Sequence, residues 1–109
     1  MLRLLHLLLL FSLFPVVAHG MADVDGQDMV KVYLKKALRA LVDSPKVSIQ
    51  HANEALALAE QLEYEKGMVR SLTVLGNAHY YLFQPEVSLQ YLYRALDQAA
   101  GRFPTQQVR

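Results

Sequence analysis

The sequence predicts an all-α fold: about four helices, paired into tandem antiparallel hairpins. Three observations predict it. Apolar residues recur at a 3.6-residue spacing through most of positions 29–99. Two prolines, Pro45 and Pro85, interrupt that pattern where a helix would otherwise run on. The segment that follows each proline is also repeated. Laying 45–56 over 85–96 matches Pro, Val, Ser, Gln, Ala and Leu at a constant offset of 40, with Ile49 over Leu89 conservative. Shared amphipathicity alone would not place Pro, Ser and Gln at one offset.

Taken in order, Met1 to Gly20 has the three parts of a secretory signal peptide. Arg3 supplies charge, Leu4 to Phe14 forms an apolar segment broken only by His6 and Ser12, and small residues around Ala18 offer a cleavage site after Pro15. An uncleaved anchor is the alternative, but the apolar stretch is short of the roughly 20 residues a span needs. This leader implies export, with the bacterial periplasm as the expected location. Residues 21–28 read as a flexible acidic lead-in, with Asp28 an N-cap for the first helix.

Met29 to Val42 places Val30, Leu34, Ala37, Leu38 and Leu41 on one face and Lys31, Lys35, Lys36 and Arg39 on another. Asp43-Ser44-Pro45 is a stop and restart, either Asp43 or Ser44 capping and Pro45 entering the first turn. The second helix continues to about Glu63 through Val47, Ile49, Ala52, Ala55, Leu56, Ala59 and Leu62. Gly67 marks the turn into the third helix, or its first turn. That helix carries Leu72, Leu75, Gly76, His79 and Leu82 on one stripe. Gln84-Pro85 ends it, and the fourth helix runs through Val87, Ser88, Tyr91, Leu92, Ala95, Leu96 and Ala99. A mid-helix glycine costs about 1 kcal/mol relative to alanine. Gly76 therefore predicts close approach of the partner helix, which the small Ser88 and Ala95 would permit. The first helices align best at an offset of 38, with Leu34 over Leu72 and Leu38 over Gly76. The two hairpins then span about 29–63 and 65–100, followed by a frayed tail over 101–109.

Leu75-Gly76, Tyr80-Tyr81, Leu82, Ser88, Leu92 and Ala95-Leu96 together resemble a tetratricopeptide repeat (TPR). The long offset resembles the copies found in bacterial sensor and signalling proteins. The second copy matches well and the first is degenerate, lacking the Leu-Gly. His79 stands where an aromatic is usual, Phe83 where the turn glycine is usual, and Ser48 and Ser88 where alanine is usual. The resemblance implies a short right-handed α-solenoid whose first helices line a peptide-binding groove. It places Lys35, Arg39, Arg70, Thr73, Asn77, Tyr80 and Tyr81 along that groove, and Ser48, Ala52, Ala55, Leu75, Gly76, Ser88, Leu92 and Ala95 in repeat packing.

Charge and composition narrow the function. The chain has 109 residues, room for one domain, with 11 Lys plus Arg against 10 Asp plus Glu. Outside the leader, which contains Arg3, the charges balance, so bulk charge does not predict nucleic-acid binding. The absence of cysteine excludes a disulfide framework, a thiolate metal site and a cysteine nucleophile. None of His6, His19, His51 and His79 is read as pairing with a carboxylate or second histidine at metal-site spacing. His51 and His79 are read as packing or surface residues, and no cofactor is expected. The cations at Lys31, Lys35, Lys36 and Arg39 fit a solvated face, a membrane-surface contact or one wall of a groove for an acidic peptide or terminal carboxylate.

The expectation is therefore an exported, non-catalytic helical-repeat module that binds a protein or peptide. The alternative is the sensory segment of a larger membrane signalling enzyme, of histidine kinase or diguanylate cyclase type. A plain helical bundle with no binding role is the third reading. Repeat arrays usually need about three units to bury their faces. Self-association through an open repeat end is expected for the same reason.

Overall fold

The computed structural model describes residues 26–101, and among these it is all-helical. The signal-peptide reading, residues 21–25 of the lead-in and the tail beyond Gly101 lie outside the described residues. Four helices follow one another: α1 over residues 26–40, α2 Pro45–Gln61, α3 Glu65–Tyr81 and α4 Pro85–Ala100. Helix α3 packs against both α2 and α4, and a hydrogen bond from Ser48 to the Ala37 carbonyl joins α2 to α1. Short turns make neighbouring helices antiparallel, which is the helical-hairpin arrangement.

Both prolines take the first helical turn, where a missing N–H leaves no hydrogen bond unmade. Ser44 occupies the N-cap of α2, but its side chain makes no capping hydrogen bond. The helix α1 starts earlier than Asp28 predicts: residues 26–28, expected in the lead-in, are already helical. Gly26 seats against the Leu62 side chain beyond the end of α2. That tertiary contact extends the helix where local signals stop it.

The ends of α2 and α3 share one device. Glu63 and Phe83 both adopt left-handed backbone, with φ of 53° and 59°. In each case the next N–H reaches back to an orphan carbonyl, Tyr64 to Ala59 at 2.8 Å and Gln84 to His79 at 2.9 Å. Left-handed geometry costs a non-glycine residue about 1–2 kcal/mol. Neither site carries the glycine that would relieve it.

The core is a strip of small and medium residues running between the helices. Val30, Leu34, Ala37, Ala52, Ala55, Leu56, Ala59, Leu72, Val74, Leu75 and Ala95 form one cluster. Three serines are buried with it, and they fare differently. Ser48 donates to the Ala37 carbonyl at 2.7 Å, tying α2 to α1. This carbonyl lies in the last turn of α1, where Leu41 N–H turns instead to Leu38. Ser71 is fully buried and its hydroxyl has no partner. Ser88 sits at the α3–α4 contact, where a Cβ built on Gly76 would lie 3.1 Å from the Ser88 carbonyl oxygen and 2.7 Å from Leu92 Cγ. That crowding is the physical reason for a glycine inside α3.

Candidate functional site: a hollow between the first helices

The first helices of the two hairpins, α1 and α3, meet along a shallow hollow of about 230 Å³. Leu34 and Leu38 line it from α1, and Val69, Arg70, Thr73, Val74 and Asn77 line it from α3. The α3 residues fall at i, i+1, i+4, i+5 and i+8, a single helical stripe. Gly67 sets how near α3 comes: a Cβ there would lie 3.0 Å from Val30 Cγ1 and 2.7 Å from the Tyr64 ring. The apolar lining comes from leucines and valines, and the polar groups stand at its margin.

Of the residues expected along a groove, Arg70, Thr73 and Asn77 come together here. Thr73 turns its hydroxyl onto its own helix, donating to the Val69 carbonyl at 2.8 Å, so it has no hydroxyl proton left for a ligand. Lys35 and Arg39 do not line the hollow. They are exposed on α1, each one position beyond a lining leucine, where long side chains can reach over its edge. Among the described residues, no carboxylate lines this hollow. Leu38, Val69 and Val74 supply apolar lining that periodicity alone does not separate from core. The available signal was Leu38, which the offset of 38 sets over a glycine and which remains 49% exposed.

Tyr80 and Tyr81 belong elsewhere. They lie edge to face, ring centroids 6.1 Å apart, at the far end of α3. With Phe83 and Pro85 they line a second, open hollow of about 360 Å³. The single wall expected from the sequence is therefore two separate surfaces.

The histidines do structural work in part. His79 stacks on Tyr91, centroids 5.3 Å apart at 13°, and its Nδ1–H donates to Gln84 Oε1 at 2.6 Å. The Arg94 guanidinium also lies over the Tyr91 ring, 5.5 Å from its centroid. His51 Nδ1 lies 3.9 Å from Glu54 Oε1 one turn on, too far for a hydrogen bond but a carboxylate neighbour that the sequence reading did not count. The pair is i,i+3 and partly exposed, and that Nδ1 has no hydrogen-bond partner. Among the described residues, no three His, Cys, Asp or Glu side chains gather closely enough to hold a metal ion. Nor is any described helix long and apolar enough to cross a membrane.

No family model, curated protein or solved structure matches this chain. The hollow's own chemistry is therefore what speaks to function. At about 230 Å³ it is smaller than the roughly 300–1,000 Å³ that holds a cofactor or small molecule. It suits one apolar side chain, with cations and an amide beside it.

Proposed function

We propose that this protein is an exported, non-catalytic helical-repeat module of TPR type that binds an acidic peptide carrying an apolar anchor. The observation that carries the reading is the α1–α3 hollow, with leucine and valine lining, Arg70 and Asn77 at its margin, and Lys35 and Arg39 close by. The apolar anchor fills the hollow. Flanking carboxylates then meet Arg70, Lys35 and Arg39 through charge-assisted hydrogen bonds, the strongest kind available at a partly exposed site. Arg70 is suited to this because its planar fork matches a carboxylate in two hydrogen bonds. The leader supports export, and the forty-residue internal repeat supports the family.

The test is fluorescence anisotropy with labelled peptides that place a leucine between acidic residues, beside the same peptides amidated to Asn and Gln. The acidic peptide binds more tightly, and its affinity falls as salt rises. Arg70→Glu combined with Lys35→Glu weakens it by about tenfold or more, near 1.4 kcal/mol. Equal binding of acidic and amidated peptides, or binding unmoved by the double charge reversal, sinks the reading.

A further inference from the structure

The offset of 40 lets α2 and α4 be compared position by position. Toward their own hairpin partners they are alike: Ser48 and Ser88 are both buried, as are Ala55 and Ala95. On the adjoining side they part. Ala52, Leu56 and Ala59 of α2 stand at i, i+4 and i+7, and all three are buried, Leu56 at 8% exposure. Their counterparts on α4 are Leu92 and Ala99, half-buried, and Leu96, 62% exposed. Leu89 and Tyr93, 50% and 62% exposed, widen this into an apolar stripe. Among the described residues α3 is the helix that α4 packs on extensively, and it leaves Leu89, Tyr93 and Leu96 of this stripe exposed.

The molecule also shows what kind of element belongs there. The helix lying on α2 after its own hairpin partner is α3, the first helix of the next hairpin. The other first helix among the described residues is α1, and its outward side carries exposed apolar residues. Met29 and Val32 are 42% and 41% exposed there, and Lys36 beside them is exposed too. Charge distinguishes the ways in which two copies can meet. Helix α1 carries Lys31, Lys35, Lys36 and Arg39 against the single carboxylate Asp28, whereas α4 carries Glu86 and Asp97 against Arg94, which is held over the Tyr91 ring. Two antiparallel α4 helices would set Glu86 of one near Asp97 of the other. Laying α1 on α4 instead opposes unlike charges.

The geometry points to a second copy of this chain as the occupant of the α4 stripe, with α1 of one copy lying on α4 of the next as α3 lies on α2. Such a contact is heterologous, so copies add stepwise, head to tail, as an open series or a ring. The exposed parts of Leu89, Tyr93 and Leu96 offer only about 350 Å² by side-chain size. A stable interface takes about 800 Å² from each partner. Assembly is accordingly weak and rises with concentration and falls with salt.

The absence of cysteine makes this directly testable by site-specific cross-linking on the full chain. Val32→Cys and Tyr93→Cys chains with different affinity tags are mixed and treated with a short bismaleimide. The expected result is a mixed product exceeding the self-product of either variant, reduced by salt and lost when Leu96→Glu is added to the Tyr93→Cys chain. Leu96 is exposed, so that change leaves the helical circular dichroism intact. A second measurement, sedimentation velocity, shows a concentration-dependent series that Leu96→Glu shifts to smaller species. Preferential Tyr93→Cys self-linking would overturn the inference in favour of α4 on α4. Association indifferent to Leu96→Glu would overturn it in favour of another surface, such as the apolar leader. A monomer with no cross-linking up to about 1 mM overturns self-assembly altogether.

Discussion

In the first hairpin, a hydroxyl spans the helices: Ser48 of α2 donates to the Ala37 carbonyl of α1 at 2.7 Å. In the second, the corresponding level is a backbone approach, with Gly76 of α3 set so close to Ser88 and Leu92 that a Cβ has no room. In the first, Leu38, which the offset of 38 sets over Gly76, is half exposed and lines the α1–α3 hollow instead. The second admits nothing. Two copies of one motif thus reach the same pairing by different balances of hydrogen bonding and contact.

Exchanging the residues breaks the comparison most severely. Gly76→Leu, which gives the second hairpin the residue aligned with it in the first, should lower unfolding free energy by about 3 kcal/mol, because Ser88 contributes a backbone atom to the clash. Leu38→Gly should cost only about 1 kcal/mol, chiefly helix propensity. Urea denaturation of both variants checks the asymmetry, and equal losses would show that Gly76 is not a packing requirement.

The hydroxyl comes next in size. Ser48→Ala should cost about 1–2 kcal/mol, since it strips the Ala37 carbonyl of its cross-helix donor. Ser71→Ala should do the reverse and stabilise by about 1 kcal/mol, because that buried hydroxyl has no partner to lose. Opposite signs for two serine-to-alanine changes in one core, read as thermal midpoints, would separate the bonded from the unbonded hydroxyl. The smallest effect is at the turn: Phe83→Gly should gain about 0.5 kcal/mol by relieving left-handed strain, less than the full penalty because glycine adds unfolded-state entropy.

What could be read from the sequence was what local chemistry decides. Pro45 and Pro85 start helices because of their missing N–H, and the glycine at 76 signals close approach because its helix-propensity cost needs a compensating contact. What could not be read depends on atoms distant in sequence. Helix α1 begins before Asp28 because residues 26–28 extend it to where Gly26 meets Leu62, sixty-two positions into the chain. Tyr80 and Tyr81 share a helix with Arg70 and Asn77, but they reach past the α1–α3 contact to a different hollow. Helical spacing gives a residue's angle around its helix, but not which neighbour is still alongside at that level. The approach of His51 to Glu54 follows from their i,i+3 spacing, a helical-neighbour relation already present in the sequence.

The matching turns at Glu63 and Phe83 have a consequence for how this chain can lengthen. Helices α2, α3 and α4 begin at positions 45, 65 and 85, a rhythm of 20 residues per helix. Residues 45–84 therefore form a cassette that starts at a proline and ends just after a left-handed turn. Copying that cassette in tandem would place Gln84 before Pro45, the same dipeptide that already joins Gln84 to Pro85. Growth by whole cassettes calls for no new joint, and each added copy would inherit a turn whose shape the polypeptide has already solved.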